Sequence, residues 1–174
     1  MNLAADYLKQ IEVELAESWL PRIYRERILT TRTRAYRFPN ISRRARVDIQ
    51  HTLLGIELKA GKKRMLCPDL ATARYLAVFA RAGCRSVAIP YDITKISALA
   101  DDLESAWHRM LLLADRLMQD RSEAFRTRVR RQLIGRVRDE IAAAGAGTRI
   151  PEFKQSTRQR DKPQKGARGA NKSD

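Results

Sequence analysis

Apolar positions along the chain switch between a helical repeat and a two-residue repeat. Leu3, Tyr7, Leu8, Ile11 and Leu15 recur at three-to-four spacing and predict an amphipathic helix from residue 2 to about residue 20, just before Pro21. Over residues 45–59 the period becomes two. Val47, Ile49 and His51 alternate with Asp48, Gln50 and Thr52, and then Ile56 and Leu58 alternate with Glu57 and Lys59. Side chains on a strand change face at every residue, so this pattern predicts two short strands joined by a tight turn. Helical spacing returns with Leu70, Ala73, Leu76, Ala77 and Ala80. Pro68 and Asp69 suit the start of that helix and Gly83 its stop. Residues 85–91 form a short apolar run, read as a buried strand ending near Pro90.

Two more helices follow. One, beginning near Ser97 after the capping residues Asp92 and Thr94, buries Leu99, Leu103, Ala106, Met110, Leu113 and Leu117. The acids Asp101, Asp102 and Glu104 sit on its early turns, where they favour the helix N-terminal end. The other buries Phe125, Val129, Leu133, Val137 and Ile141, with seven arginines between Arg121 and Arg138 directed mostly outward. Such a face lies along a phosphate backbone or packs as an ordinary amphipathic helix. The order helix, strands, helix, strand predicts an α/β domain with a mixed central sheet, flanking helices and a parallel crossover into the last strand. Its expected bounds are 1–144, including the C-terminal helical extension. Residues 145–174, poor in large apolar side chains and rich in Lys, Arg, Gln and Gly, are expected to form a disordered basic tail.

Charge narrows the class of partner. The 174-residue chain carries 35 Lys plus Arg against 20 Asp plus Glu, a formal net charge of +15, which points to a polyanion. The excess is uneven. The first 20 residues are acidic, with Asp6, Glu12, Glu14 and Glu17 against Lys9, whereas residues 22–46 hold nine arginines and one acid, Glu26. Tyr24, Tyr36 and Phe38 are interleaved among these arginines. Guanidinium groups grip phosphate in bidentate fashion and rings offer stacking surfaces. Arg32, Arg34, Arg37, Arg43, Arg44 and Arg46, with Lys62, Lys63 and Arg64, are therefore the candidate nucleic-acid contacts, DNA being favoured over RNA. A basic amphipathic helix also suits a membrane surface, but residues 121–141 bring no Trp and one Phe, so no membrane partner is expected.

The two-strand segment carries the candidate chemistry. Asp48 and Gln50 share a face, as do Glu57 and Lys59. With a loop of two or four residues, Asp48 would stand directly across from Glu57, β-carbons about 4.5–5.5 Å apart. Two carboxylates and an ammonium on one sheet patch suit metal-assisted chemistry, and suit equally an exposed hairpin whose charges are merely solvated. Asp48, then Glu57-x-Lys59 on the next strand, resembles the active-site hairpin of the PD-(D/E)XK nuclease superfamily, which includes restriction enzymes and Holliday-junction resolvases. Val47 stands where the name-giving Pro would be. The resemblance implies a restriction-endonuclease-like core, with Asp48 and Glu57 binding Mg²⁺ or Mn²⁺ and Lys59 orienting or activating the attacking water. It also implies a supporting acid on the first helix, for which Glu14, near the edge of the apolar face, is the candidate.

Other chemistries lack their residues. His51 and His108 are the only histidines, so no zinc spacing exists. No Gly-rich phosphate loop and no Ser-His-Asp arrangement occurs. Cys67 and Cys84 flank a helix about 24 Å long, too far apart for a disulfide. Without a basic-then-apolar leader or a long apolar run, the expectation is a soluble cytoplasmic protein. Two functions remain open. One is a Mg²⁺-dependent nuclease acting on DNA, structured or branched DNA included. The other is a non-catalytic nucleic-acid-binding or assembly protein in a homodimer or larger nucleoprotein complex.

Overall fold

The computed structural model describes residues 2–147. Helix α1 (Leu3–Leu15) ends at Ala16, whose φ of 47° breaks the helical path, and a short 3-10 turn leads to Trp19. The first helix is thus shorter than its apolar pattern suggested. Pro21 lies in the first turn of a separate short helix, α2 (Leu20–Ile23), where its missing N–H costs nothing. That helix runs into a wide turn over Tyr24–Ile28. Trp19 is buried, and its indole N–H donates to Glu140 at 2.7 Å.

Five strands follow the chain as β1 (Thr33–Arg37), β2 (Val47–Thr52), β3 (Gly55–Ala60), β4 (Lys63–Cys67) and β5 (Ser86–Pro90). They build two small antiparallel sheets, not one mixed sheet. β2, β3 and β4 form a meander, and β1 pairs antiparallel with β5. The expected parallel crossover does not occur. The cause is at Ala88, midway along β5. Its N–H and C=O point away from β1 and are taken by side chains: the Tyr24 hydroxyl accepts from the Ala88 N–H, and the Tyr75 hydroxyl donates to the Ala88 carbonyl. Once hydroxyls satisfy the buried polar groups of that edge, a further strand has little to bond there.

Helix α3 (Leu70–Ala82) is the centre of the molecule. Asp69 caps it by accepting from the Thr72 N–H at 2.7 Å, and Gly83 ends it in the left-handed conformation. Its burial extends beyond the expected stripe, including Thr72, Tyr75, Val78 and Phe79, while Leu70 is exposed. One side carries the β2–β4 sheet through Val47, Leu58, Ala60, Met65 and Cys67. The other packs on α4 (Ile93–Leu117) and α5 (Glu123–Ala144). α4 begins earlier than the apolar pattern marked, because the Asp92 carboxylate caps the Thr94 N–H. Asp92 sits below the usual carboxylate range, held there by the Thr94 hydroxyl and backbone hydrogen bonds.

Packing continues for three residues past the end of α5. The Tyr24 hydroxyl donates to the Gly145 carbonyl, and Gly147 lies so close to β1 that an added Cβ would fall 2.3 Å from Thr33 Oγ1. Residues 145–147 therefore belong to the packed body. The expected disordered tail otherwise falls on residues 148–174, which lie outside the described residues.

Candidate metal and nucleic-acid site

The β2–β3 turn fixes the geometry of the hairpin. Thr52 Oγ1 accepts from the Leu54 N–H and donates to the Gly55 carbonyl, and Gly55 adopts a φ of 124°, which only glycine takes readily. The loop has the anticipated two residues, but they are Leu53 and Leu54, which moves the register. Asp48 faces Lys59, and Gln50 faces Glu57. Asp48 and Glu57 are diagonal neighbours, correcting the expectation that they stand directly opposite.

Cross-strand pairing puts all four residues on one face, opposite to the face that covers α3. β4 extends the rows: Asp48, Lys59 and Arg64 form one, and Gln50, Glu57 and Leu66 the next. Glu57, on the central strand, is buried at 7% exposure, and its Oε2 has no hydrogen-bond partner. The nearest cation is the exposed Arg64 guanidinium, 3.9 Å from Oε2 and too long for a hydrogen bond. Asp48 is half-exposed and pairs at 3.3 Å with Arg46, whose own side chain is 88% exposed. Each carboxylate thus has one solvent-exposed arginine beside it.

The donor set can be tested against a divalent cation. Diagonal β-carbons on one sheet face are about 7–8 Å apart. Carboxylate arms of Asp and Glu length can span that gap around an ion with oxygen bonds of about 2.0–2.1 Å. Mg²⁺ keeps several waters and commonly takes one or two protein carboxylates, so two suffice. A buried carboxylate oxygen without a donor is the kind of ligand such an ion satisfies. Glu14 does not join them. It is exposed on α1, where it accepts from the Gln10 side chain at 2.9 Å, and α1 packs on α4 and α5. Among the described residues, no group of three or more His, Cys, Asp or Glu side chains comes together as a cation site. The apolar pattern could place Glu14 on its helix but not tell which helices that helix would meet.

The candidate nucleic-acid contacts are all exposed. Arg34 and Arg37 lie on β1, Arg43 and Arg44 in the following loop, Lys62 in the β3–β4 turn, and Lys63 and Arg64 on β4. Arg32 lies over the Tyr91 ring at 5.1 Å. Apart from Arg46 and Arg64, beside the two carboxylates, none of these nine has a carboxylate partner among the described residues. The helices differ. Arg27 binds Asp102 at 2.6 Å, Arg136 binds Glu12 at 2.5 Å, and Arg130 pairs with Asp115. Arg74 holds both Glu104 and Asp101, which raise its guanidinium above the ordinary range. Two residues that the sequence pattern did not single out, Arg81 and Arg85, lie with Arg138 near the end of the arginine-rich loop.

No family model, curated protein or solved structure matches this chain. No helix among the described residues is long and apolar enough to cross a membrane.

Proposed function

We propose that the chain is a Mg²⁺-dependent nuclease acting on DNA, with Asp48 and Glu57 holding the ion and Lys59 beside it. One observation carries the proposal: two carboxylates and a lysine share one sheet face, and the central carboxylate keeps a buried oxygen with no hydrogen-bond partner. Bound there, Mg²⁺ or Mn²⁺ would supply positive charge against a scissile phosphate and lower the pKa of a water. Lys59, directly across from Asp48, places an ammonium at the edge of the same patch. It is suited to hold a phosphate oxygen or orient the attacking water. Arg46 and Arg64 stand beside the two carboxylates, and with the ion bound there they would be free to contact DNA phosphates. The neighbouring unpaired cations supply the sequence-independent attraction that brings DNA to the face.

A second function, non-catalytic nucleic-acid binding, is favoured by the arginines already standing beside both carboxylates, since the same cations would serve it without a metal. The test is plasmid, linear and four-way-junction DNA incubated with and without Mg²⁺ or Mn²⁺. Asp48→Ala and Glu57→Ala should abolish cutting yet keep or slightly raise affinity in metal-free buffer, because each removes a negative charge from beside the phosphate. Lys59→Ala should slow cutting and also weaken binding. Unchanged activity in Asp48→Ala would exclude this site, and no cutting by pure wild-type protein would leave the binding function in its place.

A further inference from the structure

We propose that the groove bounded by residues 37–46, the end of α3 and the end of α5 binds the phosphodiester backbone of a nucleic-acid strand that runs on from the carboxylate face. The proposal rests on the chain binding nucleic acid and deepens that function, gathering Arg37 and Arg43 with Arg81, Arg85 and Arg138 into one groove. The groove encloses about 1120 Å³ and is lined by Arg37, Arg43, Arg81, Arg85 and Arg138. Asp139 is the one acid among its lining residues, and it lies 3.7 Å from Arg138. Arg37, Arg43 and Arg85 are exposed and lack carboxylate partners among the described residues.

Five guanidiniums around one cavity repel each other and demand an anion. The chemistry of the walls narrows its class. Phe38 is the only aromatic residue in the lining, and it is buried at 6% exposure. The groove therefore lacks the stacking platform that a base or aromatic cofactor would use. What remains is fork-shaped donors suited to phosphate oxygens. Ala45 lines the groove, and Asp48 begins the carboxylate face three residues on, a span of about 10 Å in extended chain. That equals about three phosphates of one strand along a duplex axis. Arg46, 88% exposed between them, bridges the two surfaces. Residues 148–174 are a poor occupant on charge, since they too are rich in Lys and Arg.

The test measures binding of a labelled single-stranded oligonucleotide in EDTA across a salt series, using the full chain. Replacing Arg37, Arg43 and Arg85 together with Ala should lower affinity about tenfold or more and reduce the salt slope by about 2. The control Lys9→Ala, Lys95→Ala, Arg116→Ala removes the same charge from exposed helix positions and should stay within about twofold of wild type. Equal loss in both triples would reduce the groove to a net-charge effect and overturn the proposal, as would wild-type affinity in the groove variant. Should the groove triple melt early, Arg43→Glu alone, in a turn outside any helix or strand, carries the test with the same expected direction. Cutting by the hairpin with unchanged binding in the groove variant would remove the groove and keep the nuclease. Loss of binding in a protein that never cuts would do the reverse. Wild-type protein that binds no oligonucleotide removes both.

Discussion

The helices and the strand-bearing side draw on the same residue type for opposite ends. On the helices, several arginines are joined to acids from other elements, Arg136 to Glu12, Arg130 to Asp115, Arg74 to Asp101 and Glu104, while Arg116, Arg128 and Arg131 stand without one among the described residues. On the strand side, Arg32, Arg34, Arg37, Arg43 and Arg44 face solvent without a carboxylate among the described residues. A count of arginines cannot distinguish these populations. The distinction lies in whether tertiary folding brings an acid to the guanidinium. Paired arginines lock helices together, whereas unpaired ones retain a field that an outside polyanion can satisfy.

The contrast can be broken first at the point where the body is most exposed to loss. Tyr24→Phe removes the acceptor for the buried Ala88 N–H and the donor to Gly145. It should cost about 1–3 kcal/mol and lower Tm by about 3–10 °C, with nucleic-acid affinity unchanged at a temperature where the variant stays folded. A variant as stable as wild type would mean that water replaces the hydroxyl. Next comes a paired comparison. Arg136→Ala, which loses half-exposed contacts to Glu12 and Glu140, should cost about 0.5–1 kcal/mol in urea unfolding and leave affinity untouched. Arg34→Ala with Arg44→Ala should show the reverse, stability within about 0.5 kcal/mol and weakened binding. If both variants lose the same property, the division between the two populations is wrong.

At neutral pH the smallest effect concerns Cys84. Burial pushes its thiol up from an ordinary 9.0 to about 12. The unfolded chain then releases this proton before the folded one does. Stability should be unaffected by this group below pH 9 and should decline from there towards pH 12. The decline should vanish in Cys84→Ala, and a thiol reagent at pH 8 should modify Cys84 only as fast as the protein opens.

Much of the local structure was legible in the sequence. Asp69 and Gly83 bound α3, Ser86–Pro90 forms β5, and the alternation around Asp48 and Glu57 marks a hairpin with both acids on one face. These features depend on neighbours along the chain. What depended on distant contacts was not legible. The register turned on where Thr52 and Gly55 close the turn, so Lys59, not Glu57, came to face Asp48. β1 escaped notice because Arg34 and Arg37 fall on opposite faces and blur the alternation of Thr33, Ala35, Tyr36 and Phe38. The division into two sheets depended on Tyr24 and Tyr75 reaching Ala88 from other parts of the chain, and Glu14 was separated from the hairpin by the packing of α1 on α4 and α5.

The hydroxyl-closed edge of β5 has a mechanical consequence. Because no ladder hydrogen bonds join the two sheets, the three strands bearing Asp48 and Glu57 rest on α3 through apolar side chains. A layer seated on such contacts shears at lower cost than one laced into a continuous sheet, since sliding exchanges dispersion contacts without exposing backbone amides. The carboxylate layer is thus a plate seated on a helix, while the Tyr24 and Tyr75 hydroxyls brace the neighbouring sheet.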